Sequence, residues 1–433
     1  MPPGPLRGFR DYLPPDAGAR SELRRRMRAA ARRAGFQELE LPTIETQELY
    51  ARKSGAGIQE QAWAFVDKGG RPVALTPETT PSVARVFVER AKSEPLPVKW
   101  FTVAKIWRYE EPQSGRTREF VQFNLDILGV PGVEAEVDLL LAAALVLDEV
   151  GAAGLYTFRI NDRAVAEGIG RRFGATDTDR FFHAVDRYRK LSAAEFEDAL
   201  GESGIPADRA RELAGRLADS AGGVGPSAVA GFLAELVGDY PEPGVAAGVE
   251  RLTTMVRLLQ RAGLGDRVVY DPTVVRGIAY YTSTVFEAFG RAGEGRSLFG
   301  GGRYDRLIEL FDGPLTPAVG LAIGDQTVEL LLREADRWPD GEPPLDTFVV
   351  AADGADRAEV TALVEELRRA GERADGDLLG RSMSRQLKEA ARRRARRALI
   401  LGLKEAPPGT VVERDLASGA QRPLPRDAAA RPA

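Results

Sequence analysis

The stretch RYEEPQSGRTREFVQFNLDILG, residues 108–129, places charged and amide side chains in segments that otherwise have the pattern of buried β-strand. In FVQFNLDIL, apolar residues alternate with Gln122, Asn124 and Asp126, and a two-residue period puts these three side chains on one face. The preceding run VKWFTVAKIWRYE alternates in the same way, and EPQSGRT between them has the Pro, Ser and Gly of a loop. The stretch therefore predicts a long antiparallel hairpin with one apolar and one polar face.

A polar row on a strand fits two structures, a sheet face open to water or a lined pocket. The neighbouring sequence is strongly apolar, and the row mixes amide, carboxylate and nearby guanidinium groups instead of the Lys, Glu and Thr of a solvated face. Arg116 and Arg118 lie at the predicted tip of the hairpin, and arginine is suited to bidentate contact with phosphate. These observations favour a pocket for a polar, phosphate-bearing ligand.

Length and composition restrict the number of domains and the class of protein. A chain of 433 residues predicts two or three domains, since a domain usually takes about 100–200 residues. Its 43% hydrophobic and 29% charged residues are typical of an ordinary globular protein, and no run approaches the roughly 18 apolar residues of a membrane helix. The N-terminus has no basic patch followed by an apolar stretch, and a cytoplasmic location with no membrane partner is therefore expected.

The rarest residues exclude several kinds of chemistry. The sequence has no cysteine, which excludes disulfides, thiolate zinc sites and thiol nucleophiles. Its single histidine, His183, leaves little room for a Ser-His triad and is predicted to be an ordinary helix residue. The net charge of −4 gives no global argument for nucleic-acid binding, so such contacts must come from local basic patches.

Helical spacing predicts two helices before the hairpin. Residues 16–34 have an amphipathic pattern, with Asp16 as the predicted cap and Gly35 as the end. Residues 79–93 form the second, with Pro81 in the first turn.

Composition also divides the chain into parts. Between about 152 and 262 the sequence becomes rich in Ala, Arg and Glu with helical periodicity, whereas READRWPDGEPPLD has the composition of a linker and is followed by alternating strands and helices. The predicted parts are a first domain from 1–151 and 263–332, a helical insertion at 152–262, a linker at 333–345, a small α/β domain at 346–420 and a disordered tail at 421–433.

Two further segments carry unusual residues. In VVRGIAYY, Arg276 ends an apolar pair, Gly277 lets the backbone approach another group closely, and two tyrosines follow. In SLFGGGRYD, three glycines precede Arg303 and Tyr304, which is unusual inside a strand unless a ligand or another backbone approaches there. No Lys-Ser/Thr pair follows the glycines, so the segment is not a Walker loop.

Together these segments resemble the histidyl-tRNA synthetases, a family of class II aminoacyl-tRNA synthetases, along nearly the whole chain. ELPTIETQELY is similar to motif 1 of the class, the opening stretch to motif 2, and VVRGIAYY and GGGRYD to the two histidine-specific signatures. RGFRDYLPPDA and LTPETTPSVAR are similar to the family's opening stretches, and GRSMSRQLKEA to its anticodon-binding domain. The sequences of LTPETTPS, LPVKWFTVAKIWRYE and NLDILG resemble the branch of the family that is found in chloroplasts and some bacteria.

The resemblance implies a site for histidine. The substrate ammonium is expected to contact Glu78 and Thr80, and the imidazole to contact Gln122 and Asp126. An acid facing the imidazole N–H favours histidine, because an apolar competitor would leave a buried acceptor unpaired. The resemblance adds further residues to the lining of this site: Arg108, Arg276, Tyr280, Tyr281 and Tyr304.

The resemblance also implies a site for ATP and the catalytic residues. Arg108 matches the arginine on the α-phosphate, Glu110 the contact to the adenine amino group, and Arg116 the contact to the outer phosphates. Arg276 matches an arginine on the other side of the α-phosphate, so Arg108 and Arg276 are the expected catalytic pair. Mg²⁺ is expected on the outer phosphates, with no metal ligand assigned from the chain.

The implied fold class is α+β, an antiparallel class II catalytic sheet flanked by helices, with a helical insertion and a C-terminal α/β anticodon-binding domain. The implied partners are tRNA(His), L-histidine and a second copy of the chain. Pro42 ends the predicted strand in FQELELP, and a proline at that position is typical of a sheet edge or an interface.

The sequence departs from the family where an arginine usually reaches the γ-phosphate of ATP from the turn after motif 3. That turn here contains Asp325, Gln326 and Thr327, and Ala279 replaces a common aspartate. Three functions are therefore open: a histidine–tRNA ligase, a non-catalytic relative such as the histidine-sensing regulatory subunit of ATP phosphoribosyltransferase, or an aminoacyl-adenylate enzyme with another acceptor. The C-terminal run RSMSRQLKEAARRRARRALI favours tRNA, since arginines on one helix suit phosphate contacts, although a solvated helix has the same pattern.

Overall fold

The predicted hairpin lies in an eight-stranded sheet. The computed structural model describes residues 4–51, 60–113, 115–220, 223–238, 242–277, 280–291, 297–341, 344–353 and 355–430. The chain divides into two compact units, Met1–Pro339 and Asp340–Ala433.

The strands in chain order are β1 Gln37–Glu38, β2 Ile44–Thr46, β3 Ala64–Val66, β4 Pro72–Leu75, β5 Val98–Trp107, β6 Glu119–Leu128, β7 Tyr156–Asp162, β8 Val268–Tyr270, β9 Thr284–Gly290, β10 Phe299–Arg303, β11 Ala318–Gly324, β12 Thr347–Ala351, β13 Ala374–Gly376, β14 Arg397–Leu401, β15 Thr410–Asp415 and β16 Gln421–Pro425. The helices are α1 Pro14–Arg33, α2 Gln47–Ala51, α3 Thr80–Arg90, α4 Glu134–Leu147, α5 Arg163–Phe173, α6 Thr178–Asp186, α7 Ala193–Glu202, α8 Ala207–Asp219, α9 Val229–Val237, α10 Pro243–Arg261, α11 Asp325–Glu334, α12 Arg357–Arg369 and α13 Met383–Arg392.

The large sheet has the order β1-β5-β6-β11-β10-β9-β7-β8. Strands β5 and β6 pair antiparallel along their whole length, which confirms the predicted hairpin. Most neighbours are antiparallel, but β1 runs parallel to β5 and β7 parallel to β8, so the sheet is mixed. The two chain-distant halves of the sheet meet where β6 pairs with β11.

The two faces of β6 are buried for different reasons. Phe123, Leu125 and Ile127 belong to the main apolar core, together with residues of α1 and α4. Gln122, Asn124 and Asp126 point away from that core but are only 9%, 2% and 1% exposed. The interpretation of this row as a water-facing surface is therefore wrong.

The two helices before the hairpin exist, with different ends. Helix α1 begins at Pro14, and Asp16 pairs with Arg333 in its first turn instead of capping the helix. Helix α3 has Pro81 in its first turn as predicted, and it ends at Arg90 because the chain then enters a turn.

The helical insertion starts later than predicted. Residues 156–162 form β7, which pairs with both β8 and β9 in the large sheet, and the helices α5 to α10 lie between residues 163 and 261. The predicted boundary at 152 is therefore wrong, because β7 belongs to the large sheet and the helices of the insertion begin after it. His183 is an exposed residue of α6, which agrees with the prediction that it is an ordinary helix residue.

The second unit contains a five-stranded sheet of order β13-β12-β14-β15-β16. Helices α12 and α13 follow β12 and β13 in the chain, as the α/β pattern predicts. The predicted disorder of residues 421–433 is wrong for its first part, since β16 pairs with β15. Residues 431–433 lie outside the described part of the chain. Within the residues that the structure describes, no helix has the length and apolar character needed to cross a membrane.

Candidate functional site

Glycines of β10 and β11 form the floor of the candidate pocket on the polar face of the large sheet. Strand pairing places Asp126 beside Gly320 and Gly320 beside Gly302, and a β-carbon on Gly320 would lie 2.2 Å from Oδ1 of Asp126. A β-carbon on Gly302 would lie 2.9 Å from the ring of Tyr281. A β-carbon on Gly302 would also lie 2.7 Å from the carbonyl oxygen of Thr284, so both backbone and side chains approach the glycine run closely, as predicted, and any larger residue would obstruct them.

Asp126 is the acid at the closed end of this pocket. Its Oδ1 accepts a hydrogen bond from the Tyr304 hydroxyl, and its Oδ2 has no protein partner among the residues that the structure describes. Burial raises the pKa of Asp126 to about 7, although the Tyr304 hydrogen bond acts in the opposite direction. A ligand that donates an N–H to Oδ2 would complete the hydrogen bonding of a buried acceptor.

The raised pKa predicts a pH effect on the ligand-free protein. Asp126 is protonated in the folded state below pH 7 and in the unfolded state only below about pH 4, so its contribution to stability is greatest at low pH and is lost as the pH rises from about 4 to 7. Wild type should therefore lose stability relative to Asp126→Asn over this interval, by on the order of 4 kcal/mol. Urea unfolding of both proteins between pH 4.5 and 8 measures the difference, and a constant difference would contradict the burial of an unpaired carboxylate.

Three tyrosines enclose the same pocket. Tyr280 packs edge-on against Tyr281, with ring centroids 5.2 Å apart, and against Tyr304, with centroids 5.9 Å apart. Burial raises the pKa of Tyr281 to about 12 and raises the pKa of Tyr280 and Tyr304 well above the usual value. All three therefore stay neutral phenols near pH 7, with apolar ring faces and a polar hydroxyl.

Arg108 contacts the segment that carries Glu78 and Thr80, and both of these residues lie close to Tyr280. The Nε of Arg108 donates to the carbonyl oxygen of Pro77 at 2.9 Å, which fixes the loop carrying Glu78 to the end of β5. Glu78 is buried, and after burial its charge is the next cause of the raised pKa of Tyr280. The two sequence segments that supplied these predicted residues are thus in contact.

Arg276 lies over the glycine floor from the opposite side. It is a non-glycine residue with φ of 54°, in the left-handed region, and its guanidinium pairs with Glu287 of β9. A β-carbon on Gly300 would meet the Arg276 guanidinium carbon at 2.3 Å, so Gly300 is required for this position. Strand pairing puts Gly300 in line with Asn124, one row along the sheet from Asp126.

Arg116 and Arg118, the two arginines predicted at the hairpin tip, have different contacts. Arg116 has a half-exposed side chain and pairs with the buried carboxylate of Glu110. Arg118 instead makes its contacts with neighbouring residues of the hairpin. It stacks on Tyr109 at 4.0 Å and donates to the carbonyl oxygen of Glu110 at 3.0 Å.

The turn after β11 contains no cation among its three distinctive residues and instead holds the hairpin. Asp325 is buried against Arg20 and accepts the backbone N–H of Val121 at 3.1 Å. The Gln326 amide donates to the Thr117 hydroxyl at the base of the hairpin tip. Thr327 is hydrogen-bonded within its own turn. This turn therefore fixes the returning strand of the hairpin.

Some site residues had no role assigned from the sequence. Glu287 orients Arg276, and its only sequence signal is a carboxylate between the apolar residues of VFEAF. Gly320 makes room for Asp126 from a strand nearly 200 positions away, which no local pattern could have indicated. Ala279 lies outside the described residues.

Two family models match the chain. The model described as "Histidyl-tRNA synthetase" matches residues 8–328. The model described as "Anticodon binding domain" matches residues 346–431, which correspond closely to the second unit.

Individual relatives and a solved structure agree with these family models. The histidine–tRNA ligase of Halobacterium salinarum is 38% identical over 423 residues, which cover 97% of this chain and 95% of that protein. The chloroplastic/mitochondrial histidine–tRNA ligase of Arabidopsis thaliana is 34% identical over 420 residues, covering 96% of this chain and 84% of that protein. The crystal structure of histidyl-tRNA synthetase from Nostoc has a similar fold, with a TM-score of 0.82, 22% identity and coverage of 99% and 98% of the two chains.

Proposed function

The chain belongs to the histidyl-tRNA synthetase family, and we propose that its glycine-floored pocket binds L-histidine while the adjacent arginines bind ATP. The activity is that of a histidine–tRNA ligase, an aminoacyl-tRNA ligase that forms histidyl-adenylate and transfers histidine to tRNA. The observation that carries the proposed site is the buried Asp126 carboxylate, with one oxygen held by Tyr304 and the other without a protein partner in the described chain.

Within the proposed site, Asp126 accepts the imidazole N–H of histidine. Gln122 lies four residues away on the same strand face, about 13 Å along the strand, which is too far for both side chains to contact one imidazole ring closely. We therefore assign Gln122 to the amino-acid end of the substrate instead of the imidazole. Glu78 and Thr80, at the start of α3, are proposed to bind the ammonium.

The proposed adenylation step requires neither an acid nor a covalent nucleophile. The histidine carboxylate attacks the α-phosphorus in line, a new P–O bond forms, and the bond to pyrophosphate breaks. Arg108 and Arg276 are proposed to stabilise the negative charge on the α-phosphoryl oxygens. Their placement on opposite sides of the pocket, each fixed by a neighbour, supports preorganisation of this charge.

The hairpin tip is proposed to bind the rest of ATP. Arg116, whose half-exposed side chain pairs with Glu110, is proposed to move to the outer phosphates, and Glu110 is then proposed to accept a hydrogen bond from the adenine amino group. The arginine that the family usually has after motif 3 is absent from this turn, so Arg116 is proposed to provide the main cationic contact to the outer phosphates.

Mg²⁺ suits this site as an ion that arrives with ATP. Among the described residues, no three acidic or histidine side chains gather as a protein-only metal site, and Mg²⁺ commonly binds through substrate phosphates plus one or two carboxylates. Glu287, beside Arg276, is the proposed carboxylate. When bound, the ion would neutralise charge on the outer phosphates.

The proposed macromolecular partners are tRNA(His) and a second copy of the chain. The anticodon-binding match of the second unit supports tRNA binding there. Next to the exposed Pro42, the small sheet β2-β4-β3 exposes Ile44, Phe65 and Val66, with 46%, 46% and 67% of each residue accessible, which supports a dimer contact on this sheet. A cytoplasmic location stays a prediction from the sequence.

Histidine-dependent ATP–pyrophosphate exchange, followed by charging of tRNA with a histidine anticodon, tests the function. Both reactions are expected with the purified full chain, and the exchange should require histidine. Exchange without charging would favour an adenylate enzyme with another acceptor. The absence of both would favour a non-catalytic, histidine-sensing relative.

A further inference from the structure

The loop that carries Arg276 is fastened to the end of β7 by a series of side chains. Strand alternation puts Arg159 and Asn161 on one face of β7, and both reach the loop. Arg159 pairs with the buried Asp271 at 2.7 Å, and the Asn161 amide donates to the carbonyl oxygens of Pro272 and Val274 at 3.2 and 3.0 Å. The first four residues of the loop are thereby held by β7.

Arg163, the first residue of α5, holds the next two residues of the loop. Its Nη1 donates to the carbonyl oxygen of Val275 at 3.2 Å and to that of Arg276 at 3.1 Å. Its guanidinium stacks on the ring of Phe182 at 4.4 Å, and its backbone N–H donates to the Ser283 carbonyl oxygen at 3.0 Å. Arg163 therefore connects the helices of the insertion with the backbone of Arg276.

The backbone of Arg276 needs such a support. Its φ of 54° lies in the left-handed region, which non-glycine residues adopt only at an energetic cost, and such conformations persist when neighbouring groups hold them. The Arg163 guanidinium donates to the carbonyl oxygens of both Val275 and Arg276, which lie on either side of the N–Cα bond of Arg276. These two hydrogen bonds therefore limit rotation about that bond. The same backbone conformation directs the side chain over Gly300 to Glu287.

We infer that Arg163 is a positioning residue for adenylation, holding the left-handed backbone from which Arg276 reaches the α-phosphate. The inference rests on the proposed role of Arg276, and it gives the insertion a part in the first reaction step, before any tRNA binds. Arg163 does not touch the substrates in this arrangement. Its effect on the reaction passes through Arg276.

The test is a double-mutant cycle measured by histidine-dependent ATP–pyrophosphate exchange. Arg163→Met keeps an unbranched side chain as far as the position of Nε but removes the guanidinium, and with it both hydrogen bonds to the loop and the stacking on Phe182. It is expected to lower kcat by about tenfold to a hundredfold, since small misplacements of a catalytic group have effects of this size, and to leave KM for histidine within about twofold. In an Arg276→Ala background, Arg163→Met should have almost no further effect, because the residue it positions is already gone.

Two more variants separate positioning from folding. Arg163→Lys keeps a cationic donor and should recover part of the lost rate. Arg171→Ala, on the same helix, removes ion pairs to Glu167 and Glu242 that are remote from the loop and should leave the rate at the wild-type value. Thermal unfolding of each variant reports any general loss of stability.

The outcomes distinguish this inference from the proposed site. If Arg276→Ala itself leaves exchange unchanged, the role of Arg276 is wrong and the inference is overturned with it. If Arg276→Ala slows exchange but Arg163→Met leaves kcat unchanged, or if the two losses multiply in the double variant, only the positioning role of Arg163 is overturned.

Discussion

Arg276→Ala is expected to lower kcat for histidine-dependent ATP–pyrophosphate exchange by about 10²–10³-fold, the usual effect of removing one preorganised charge-stabilising donor. Glu287 holds the Arg276 guanidinium, and Gly300 leaves the space that the guanidinium occupies. Little reorganisation is therefore needed when charge develops on the phosphoryl oxygens. Histidine binding in the absence of ATP, measured by calorimetry, should change little. The variant thus separates binding from the chemical step.

Two controls bound the interpretation of this variant. Arg276→Lys keeps the charge and prevents Glu287 from being left as an unpaired carboxylate, so it should retain more activity than the alanine variant. Arg306→Ala removes a highly exposed arginine that pairs with Glu309 and should behave as wild type. An unchanged kcat in Arg276→Ala, with the fold intact, would exclude a role in adenylation.

Asp126→Ala is expected to weaken histidine binding by about 2–5 kcal/mol, the usual effect of truncating one partner of a buried, charge-assisted hydrogen bond. In exchange kinetics this should appear mainly as a higher KM for histidine and as a loss of selectivity against apolar amino acids of similar size. The carboxylate is buried on the pocket face of β6, opposite the apolar core, and the core packing of that strand should therefore survive the change.

Asp126→Asn tests whether the charge or only the hydrogen-bond acceptor is needed. The amide can still accept from Tyr304 and has nearly the same volume, but it carries no negative charge. We expect it to bind histidine more weakly than wild type and more tightly than the alanine variant. Asp138→Ala removes a half-exposed acid that pairs with Lys99 and serves as the matched control. Wild-type histidine affinity in Asp126→Ala would contradict the assignment of the pocket.

Some of the candidate site follows from local patterns. The two-residue period of FVQFNLDIL gives the polar row and the hairpin, because both depend only on the pleat of a strand and the composition of its turn. The burial of that row could not be predicted from the same period. It depends on α3 and on the tyrosines around residues 280–304, which cover the row from segments distant in sequence.

By itself the sequence determined which residue types occur at which spacing, and through them the hairpin, the helical insertion and the family resemblance. Only the tertiary structure decided that Gly320 clears the space for Asp126, that Glu287 holds Arg276, and that β7 belongs to the large sheet. The physical reason is the order of the strands. β6 pairs with β11 and β7 pairs with β9, and in both cases the paired strands are distant along the chain, so the local pattern of neither strand identifies its partner.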